Sequence, residues 1–169
     1  MTTEVFSDRR SELVVLRRWA IPTLAILLIV LSLPWFTWQF LPAQPSNQIP
    51  EMHLTFGDIR GAAGNSTSPL TRIYFEWGMW ILIIPASVLA LAATKYSSKL
   101  VGVMATCAAG LVLVVTVLAF KGVLSWSAFL ATVPNLRLGG FMFLIGLVLL
   151  LVHGVASVRS RDWAEQHRD

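Results

Sequence analysis

The chain has 169 residues, of which 56% are hydrophobic and 13% are charged, and its formal net charge is +4. Its lysines and arginines lie beside long apolar runs rather than on one basic face, which argues against nucleic-acid binding. The apolar runs and their connections use nearly all of these residues and leave no room among them for a soluble catalytic domain.

Four apolar runs divide the chain, at residues 19–40, 77–94, 100–120 and 138–158. Each run is long enough to cross a hydrocarbon core ~30 Å thick as a helix that rises ~1.5 Å per residue. The seven tryptophans lie at or just beyond the ends of the runs, where an indole meets the edge of a bilayer. The sequence therefore predicts an all-α membrane protein, a single domain of four transmembrane helices.

The distribution of basic residues predicts the orientation. With the N-terminus inside, nine of the 13 lysines and arginines lie on the inner side, and four lie outside: Arg60, Arg72, Lys121 and Arg137. The positive-inside rule then predicts a multi-pass protein of the plasma membrane with both termini in the cytoplasm. The loop of residues 41–76 faces away from the cytoplasm in this arrangement.

This outer loop carries mixed signals. Residues 52–56 alternate apolar and polar side chains, which is typical of a strand. Residues 61–68 are rich in Gly, Ala and Ser and predict a flexible loop or turn, and residues 70–75 fit either a returning strand or the start of the second helix. The resulting cap can include a β-hairpin, which would need the bundle or a partner to hold it. Residues 121–137 are apolar for a connection and predict an outer interfacial segment that lies flat at the headgroups.

Groups that could carry chemistry are sparse. Cys107 is the single cysteine and falls within the third run, so no disulfide can form within the chain. His53, His153 and His167 differ in depth or side, which excludes a haem held by two of them. The sequence shows no metal-ligand spacing, nucleophile–base set or phosphate loop. We therefore expect neither an enzyme nor a bound metal or cofactor.

Small residues predict close helix packing. They recur every four residues in the third run and every seven in the fourth: Gly102, Thr106 and Gly110, then Gly139, Gly146 and His153. Small residues let two backbones approach within a membrane, where dispersion contact holds helices together. His153 is the one strongly polar side chain well inside a run. It fits a polar contact in a packing seam, and alternatively a proton relay or a contact to a quinone headgroup.

A second group of residues collects at the outer edge and is predicted to contact partners or lipids. It comprises Trp35, Trp38, Asp58, Arg60, Arg72, Glu76, Trp77, Trp80 and Trp126. Within it, Arg72 and Glu76 are four residues apart and can pair if the second helix begins early.

The layout resembles two kinds of membrane protein. Trp35-Phe36-Thr37-Trp38 begins a strand-bearing first outer loop, as in the claudin-type shape, although this chain lacks the cysteine pair of that loop. Leu33-Pro34-Trp35 and the general layout are similar to small four-span proteins of actinobacteria, some of which are accessory subunits of respiratory assemblies. The second resemblance implies that other integral membrane subunits are partners.

These observations favour a non-catalytic accessory or scaffold subunit of a larger membrane complex, of which a respiratory assembly is one candidate. The alternative is a small transporter or a lipid- or quinone-binding protein that uses Pro85, His153 and Glu76. Transporters usually show internal repeats and several buried polar groups along a path, and neither pattern is present in the sequence.

Overall fold

The computed structural model describes residues 2–43, 50–96 and 98–166, with side chains for residues 19–43, 50–96 and 98–160. The protein is 81% helical, and its described residues carry one two-stranded sheet. His167 and the side chain of Trp163 lie outside the described residues.

Nine elements and two connecting turns make up the described chain. In order, they are α1 (Thr2–Trp35), β1 (Thr37–Leu41), β2 (Met52–Thr55), α2 (Phe56–Gly64), α3 (Pro69–Ile73), a π-helical turn (Tyr74–Gly78), α4 (Met79–Lys95), α5 (Lys99–Lys121), α6 (Trp126–Thr132), a 3₁₀ turn (Val133–Asn135) and α7 (Leu138–Gln166).

Three helices are long and apolar enough to cross a membrane: Pro69–Lys95, Lys99–Lys121 and Leu138–Ser160. They suggest a membrane protein, in line with the composition. The apolar part of α1, Trp19–Trp35, is shorter. The first of the three begins well before the predicted run at residue 77. It starts there because the Ser68 hydroxyl accepts a hydrogen bond from the backbone of the first turn and Pro69 occupies the start of the helix.

Helix α7 lies at the centre of the helix packing, against α1 and α5, and α5 in turn packs against α4. Two glycines of α7 allow close approach. A Cβ at Gly146 would lie 2.8 Å from the Ala25 carbonyl oxygen of α1, and a Cβ at Gly154 would lie 2.9 Å from the Thr106 backbone nitrogen of α5. At Gly110 the space is ordinary, since a Cβ there would lie 3.8 Å from Leu151 Cδ1.

The bundle has two ends. We call the end that carries β1, β2, α2 and α6 the cap end, and the end where α4 connects to α5, around residues 96–98, the tail end. Strands β1 and β2 form an antiparallel hairpin, with Phe40 opposite His53 and a bulge between Thr37 and Gln39. A hairpin is present, but its partner strand is not the one that the sequence allowed for at residues 70–75: β2 pairs with β1, which follows α1 after Phe36. Residues 70–75 are helical.

Two segments differ from the sequence expectation. The helix formed by the first apolar run ends at Trp35. Residues 37–41 form β1 instead of continuing this helix. The predicted loop at residues 61–68 is helical as far as Gly64, since α2 begins with a capping box. In this box Asp58 N donates to Thr55 Oγ1 at 3.3 Å, and Thr55 N donates to Asp58 Oδ2 at 2.8 Å.

Candidate functional site

Trp38 fixes the hairpin to the bundle. It occupies the bulge of β1 and is 1% exposed. Its Nε1 donates to the Ser32 carbonyl oxygen at 2.6 Å, and its own carbonyl oxygen accepts from Arg137 N at 2.9 Å. A bulge can re-aim a side chain, and here it turns the indole inward. Trp38 was predicted as an outer contact residue, and its observed contacts lie within the chain.

Two consecutive glycines at the start of α7 make room for β1. A Cβ at Gly139 would lie 2.6 Å from Trp38 Cδ1 and 3.0 Å from the Thr37 carbonyl oxygen. A Cβ at Gly140 would lie 2.9 Å from the Trp38 carbonyl oxygen. Gly139 therefore packs against the hairpin, whereas Gly146, one heptad later, packs against α1.

Around Trp38 lies an aromatic cluster contributed by β1, α2, the π turn, α5 and α7. Its members are Trp38, Phe56, Tyr74, Phe75, Phe120 and Phe143. The Trp38 ring centroid is 5.1 Å from that of Phe56 and 4.8 Å from that of Phe143. Such pairs contribute about 0.5–1.5 kcal/mol beyond the burial of their area. The cluster joins the cap to three helices of the bundle, and this explains how so small a hairpin is held in place.

A second feature of the cap end faces outward. The Arg137 guanidinium lies 4.6 Å from the centroid of the Phe40 ring, the Phe40 ring is 5.3 Å from that of His53, and His53 Nε2 is 3.3 Å from Glu51 Oε1. We call these four residues the hairpin row. Phe40 is half-buried and the other three are exposed. Arg and aromatic side chains of this kind are enriched in protein interfaces.

The polar residues predicted at the rim make local contacts. A hydrogen bond from the Thr55 hydroxyl, followed by one from the Thr55 backbone, holds the pKa of Asp58 below its ordinary value of 3.8. Arg60 Nη2 donates to the Glu76 carbonyl oxygen at 3.3 Å. Arg72 and Glu76, both among the described residues, form no ion pair. The π turn widens the helix between them and removes the i,i+4 geometry.

Four of the predicted outer tryptophans remain at the surface: Trp35, Trp77, Trp80 and Trp126. Trp35, at the end of α1, is 76% exposed, whereas Trp38, three residues later, is buried. The two indoles of the Trp35–Trp38 motif therefore differ in role, because one packs inside the chain and the other is available to lipid or to a partner.

His153 contacts α4 near the tail end. Its Nε2 lies 3.2 Å from both Thr94 Oγ1 and the Ala90 carbonyl oxygen, and it is 6% exposed. A carbonyl only accepts hydrogen bonds, so Nε2 carries the hydrogen in this arrangement. In the same region Gly102 is buried, and Thr106 Oγ1 donates to the Gly102 carbonyl oxygen at 2.9 Å.

Within the described part of the chain, every buried side-chain nitrogen or oxygen atom has a hydrogen-bond partner. No group of three His, Cys, Asp or Glu residues in that part is placed to hold a metal ion.

Sequence reasoning missed several residues of the cap contact, among them Gly140 and most of the aromatic cluster. One signal was available for the rings. Phe75, Phe120 and Phe143 lie near the ends of three apolar runs, and these ends share one side of the membrane in the predicted topology. Their depth could have placed them together, although no spacing along the chain relates them.

Comparison of the chain with protein-family models, with curated proteins and with solved structures finds no match. Function must therefore be inferred from the arrangement of the residues themselves.

Proposed function

We propose that the protein is a non-catalytic accessory or scaffold subunit of a larger complex in the plasma membrane. In this proposal α1 supplies a fourth span through Trp19–Trp35, both termini are cytoplasmic, and the cap end projects from the outer face. Other integral membrane subunits are the partners, and a respiratory assembly is one class of complex that fits.

The observation that carries the proposal is the contrast within the hairpin. Its inner side is fixed to the bundle through Trp38, Gly139 and Gly140, whereas its outer side presents the hairpin row. A surface that is held rigid before binding loses little conformational entropy when a partner docks. The cap therefore has the properties of a preformed docking surface.

The buried polar groups support the same proposal. Ser32 donates to the Ile29 carbonyl oxygen at 2.7 Å, and Thr116 donates to the Val112 carbonyl oxygen at 2.7 Å and contacts the Tyr74 hydroxyl at 2.6 Å. These groups are occupied in helix packing, which suits a structural role.

The test is purification of the tagged protein from its native membranes in a mild detergent, with quantification of the subunits that co-purify. We expect stoichiometric partners, and we expect a double variant of the hairpin row, Phe40→Ala with His53→Ala, to lose them while the chain stays folded. Ile84→Ala is the matched control, because Ile84 is exposed on a spanning helix away from the cap. A chain that purifies without any stoichiometric subunit would overturn the proposal.

The alternative, a small transporter or a lipid- or quinone-binding protein, has one observation in its favour. His153 and Thr94 bring two polar side chains together between spanning helices, and intramembrane ionisable groups are functional candidates. His153→Leu and Glu76→Gln discriminate between the two proposals. Loss of co-purified quinone or lipid with an intact complex would favour the alternative, and loss of partner subunits would favour the scaffold.

A further inference from the structure

The connection between α5 and α7 is an apolar surface that the chain itself leaves uncovered. Every side chain of α6 is exposed or half-buried, and Leu130 is 62% exposed. Val123, in the turn before α6, is 72% exposed. Residues 122–136 include no ionisable side chain. Exposing this apolar surface to water would cost free energy, so we expect another molecule to cover it.

The position of α6 in the chain indicates which molecule covers it. It lies between Lys121, where one membrane-spanning helix ends, and Leu138, where the next begins. Both flanking helices carry exposed apolar residues close to it: Leu118 on α5, and Leu138 and Phe141 on α7. The faces of spanning helices that point away from the bundle meet lipid. Since α6 connects these two helices directly at the cap end, it is placed beside the same lipid.

The polar groups of the segment match the chemistry of a headgroup layer. Lys121 Nζ lies 5.2 Å from the centroid of the Trp126 ring, so a cation and an indole occupy the same level. Ser125 Oγ caps α6 by accepting from Ala128 N at 3.2 Å, and it lies 3.1 Å from Ser127 Oγ. A lysine cation attracts phosphate, and an indole prefers the boundary between headgroups and acyl chains.

We propose that residues 123–133 form a lipid-binding element that lies in the phospholipid headgroup layer on the cap side of the membrane. Trp126 and Leu130 enter the acyl boundary, and Lys121 meets the phosphates. The cap end then has two surfaces with different partners, because α6 binds lipid and the hairpin row binds protein. The lipid proposal does not depend on the scaffold function.

The test uses a fluorescent probe at single cysteines. Because Cys107 is the only cysteine, Cys107→Ser gives a background in which Leu130→Cys, Met52→Cys or Val88→Cys can be labelled with an environment-sensitive dye. Met52 lies on β2 and is 42% exposed, and Val88 lies within α4 and is 58% exposed. These two sites are the references for water and for lipid. The purified protein is placed in vesicles of phosphatidylcholine with a quarter of phosphatidylglycerol.

We expect the probe at Leu130→Cys to emit at shorter wavelength than the probe at Met52→Cys. We also expect lipids brominated near the glycerol end of the acyl chain to quench it, and aqueous iodide to quench it at least about threefold less than the probe at Met52→Cys. If iodide quenches both probes equally, or if brominated lipid leaves the Leu130→Cys probe unaffected, α6 does not bind lipid and the proposal fails. Because no partner subunit is present, protein docking cannot imitate the expected result.

Discussion

The cap end and the tail end of the bundle differ in the side chains that hold them together. At the cap end, six aromatic side chains from five structural elements, Trp38 among them, form one cluster. At the tail end, helices approach through small residues, with Gly154 against the backbone of Thr106 and His153 bonded to α4.

The two ends differ because their side chains, if unpacked, would meet different surroundings: lipid at the tail end and water at the cap end. Spanning helices gain little from burying apolar side chains, because lipid is apolar already, so close backbone contact and interhelical hydrogen bonds hold them. Rings that would otherwise meet water gain the full hydrophobic contribution when they cluster. We therefore expect the aromatic cluster to lie where the molecule leaves the hydrocarbon layer.

The largest effect should come from removing the centre of the cap cluster. Trp38→Ala deletes a buried indole and its bond to Ser32, and it should lower the free energy of unfolding by about 3–5 kcal/mol. Reversible unfolding in mixed micelles measures this change. Trp35→Ala is the matched control, since that indole is 76% exposed and its loss should cost no more than about 0.5 kcal/mol. Equal costs for the two variants would show that the buried aromatic cluster does not hold the cap end.

An intermediate effect is expected at the tail end. Gly154→Ala places a Cβ 2.9 Å from the backbone of Thr106, which cannot move without shifting α5, and the variant should lose about 1–3 kcal/mol. Gly110→Ala tests the same pair of helices where a Cβ meets only Leu151 Cδ1 at 3.8 Å. That variant should be neutral or should gain up to about 1 kcal/mol from helix propensity. A neutral Gly154→Ala would show that backbone contact does not hold this end.

The smallest effect concerns the capping box of α2 and depends on pH. The pKa of Asp58 is lowered in the folded protein by the hydroxyl and backbone N–H of Thr55. A lowered folded-state pKa means that the stabilisation is present above the ordinary value of 3.8 and is lost as pH falls through the folded value.

Consequently, the melting temperature of the wild type should fall more between pH 6 and pH 3 than that of Asp58→Asn. Thr55→Ser keeps the hydroxyl donor, so it should retain the wild-type pH dependence. If Asp58→Asn shows the same fall as the wild type, the capping carboxylate does not contribute to this pH dependence.

The sequence by itself predicted most of the helices, including the three that are long and apolar enough to cross a membrane. Long apolar runs require a backbone that satisfies its own hydrogen bonds in lipid, and only a helix does so within one segment. The alternation at residues 52–56 was likewise sufficient to locate β2, since a strand is recognised from local periodicity. The capping signature Thr55-x-x-Asp58 is also present in the sequence, but the predicted loop at residues 61–68 rested on Gly, Ala and Ser content alone.

Only the tertiary structure decided which elements meet. The partner of β2, the inward turn of Trp38 and the different roles of Trp35 and Trp38 depend on contacts with Gly139 and Gly140, a hundred residues further along the chain. Gly139 and Gly140 have no local conformational preference that would reveal which segment of the chain packs against them. The aromatic cluster is of the same kind, because packing is a property of surfaces brought together by the fold, whereas periodicity and length are properties of the segment alone.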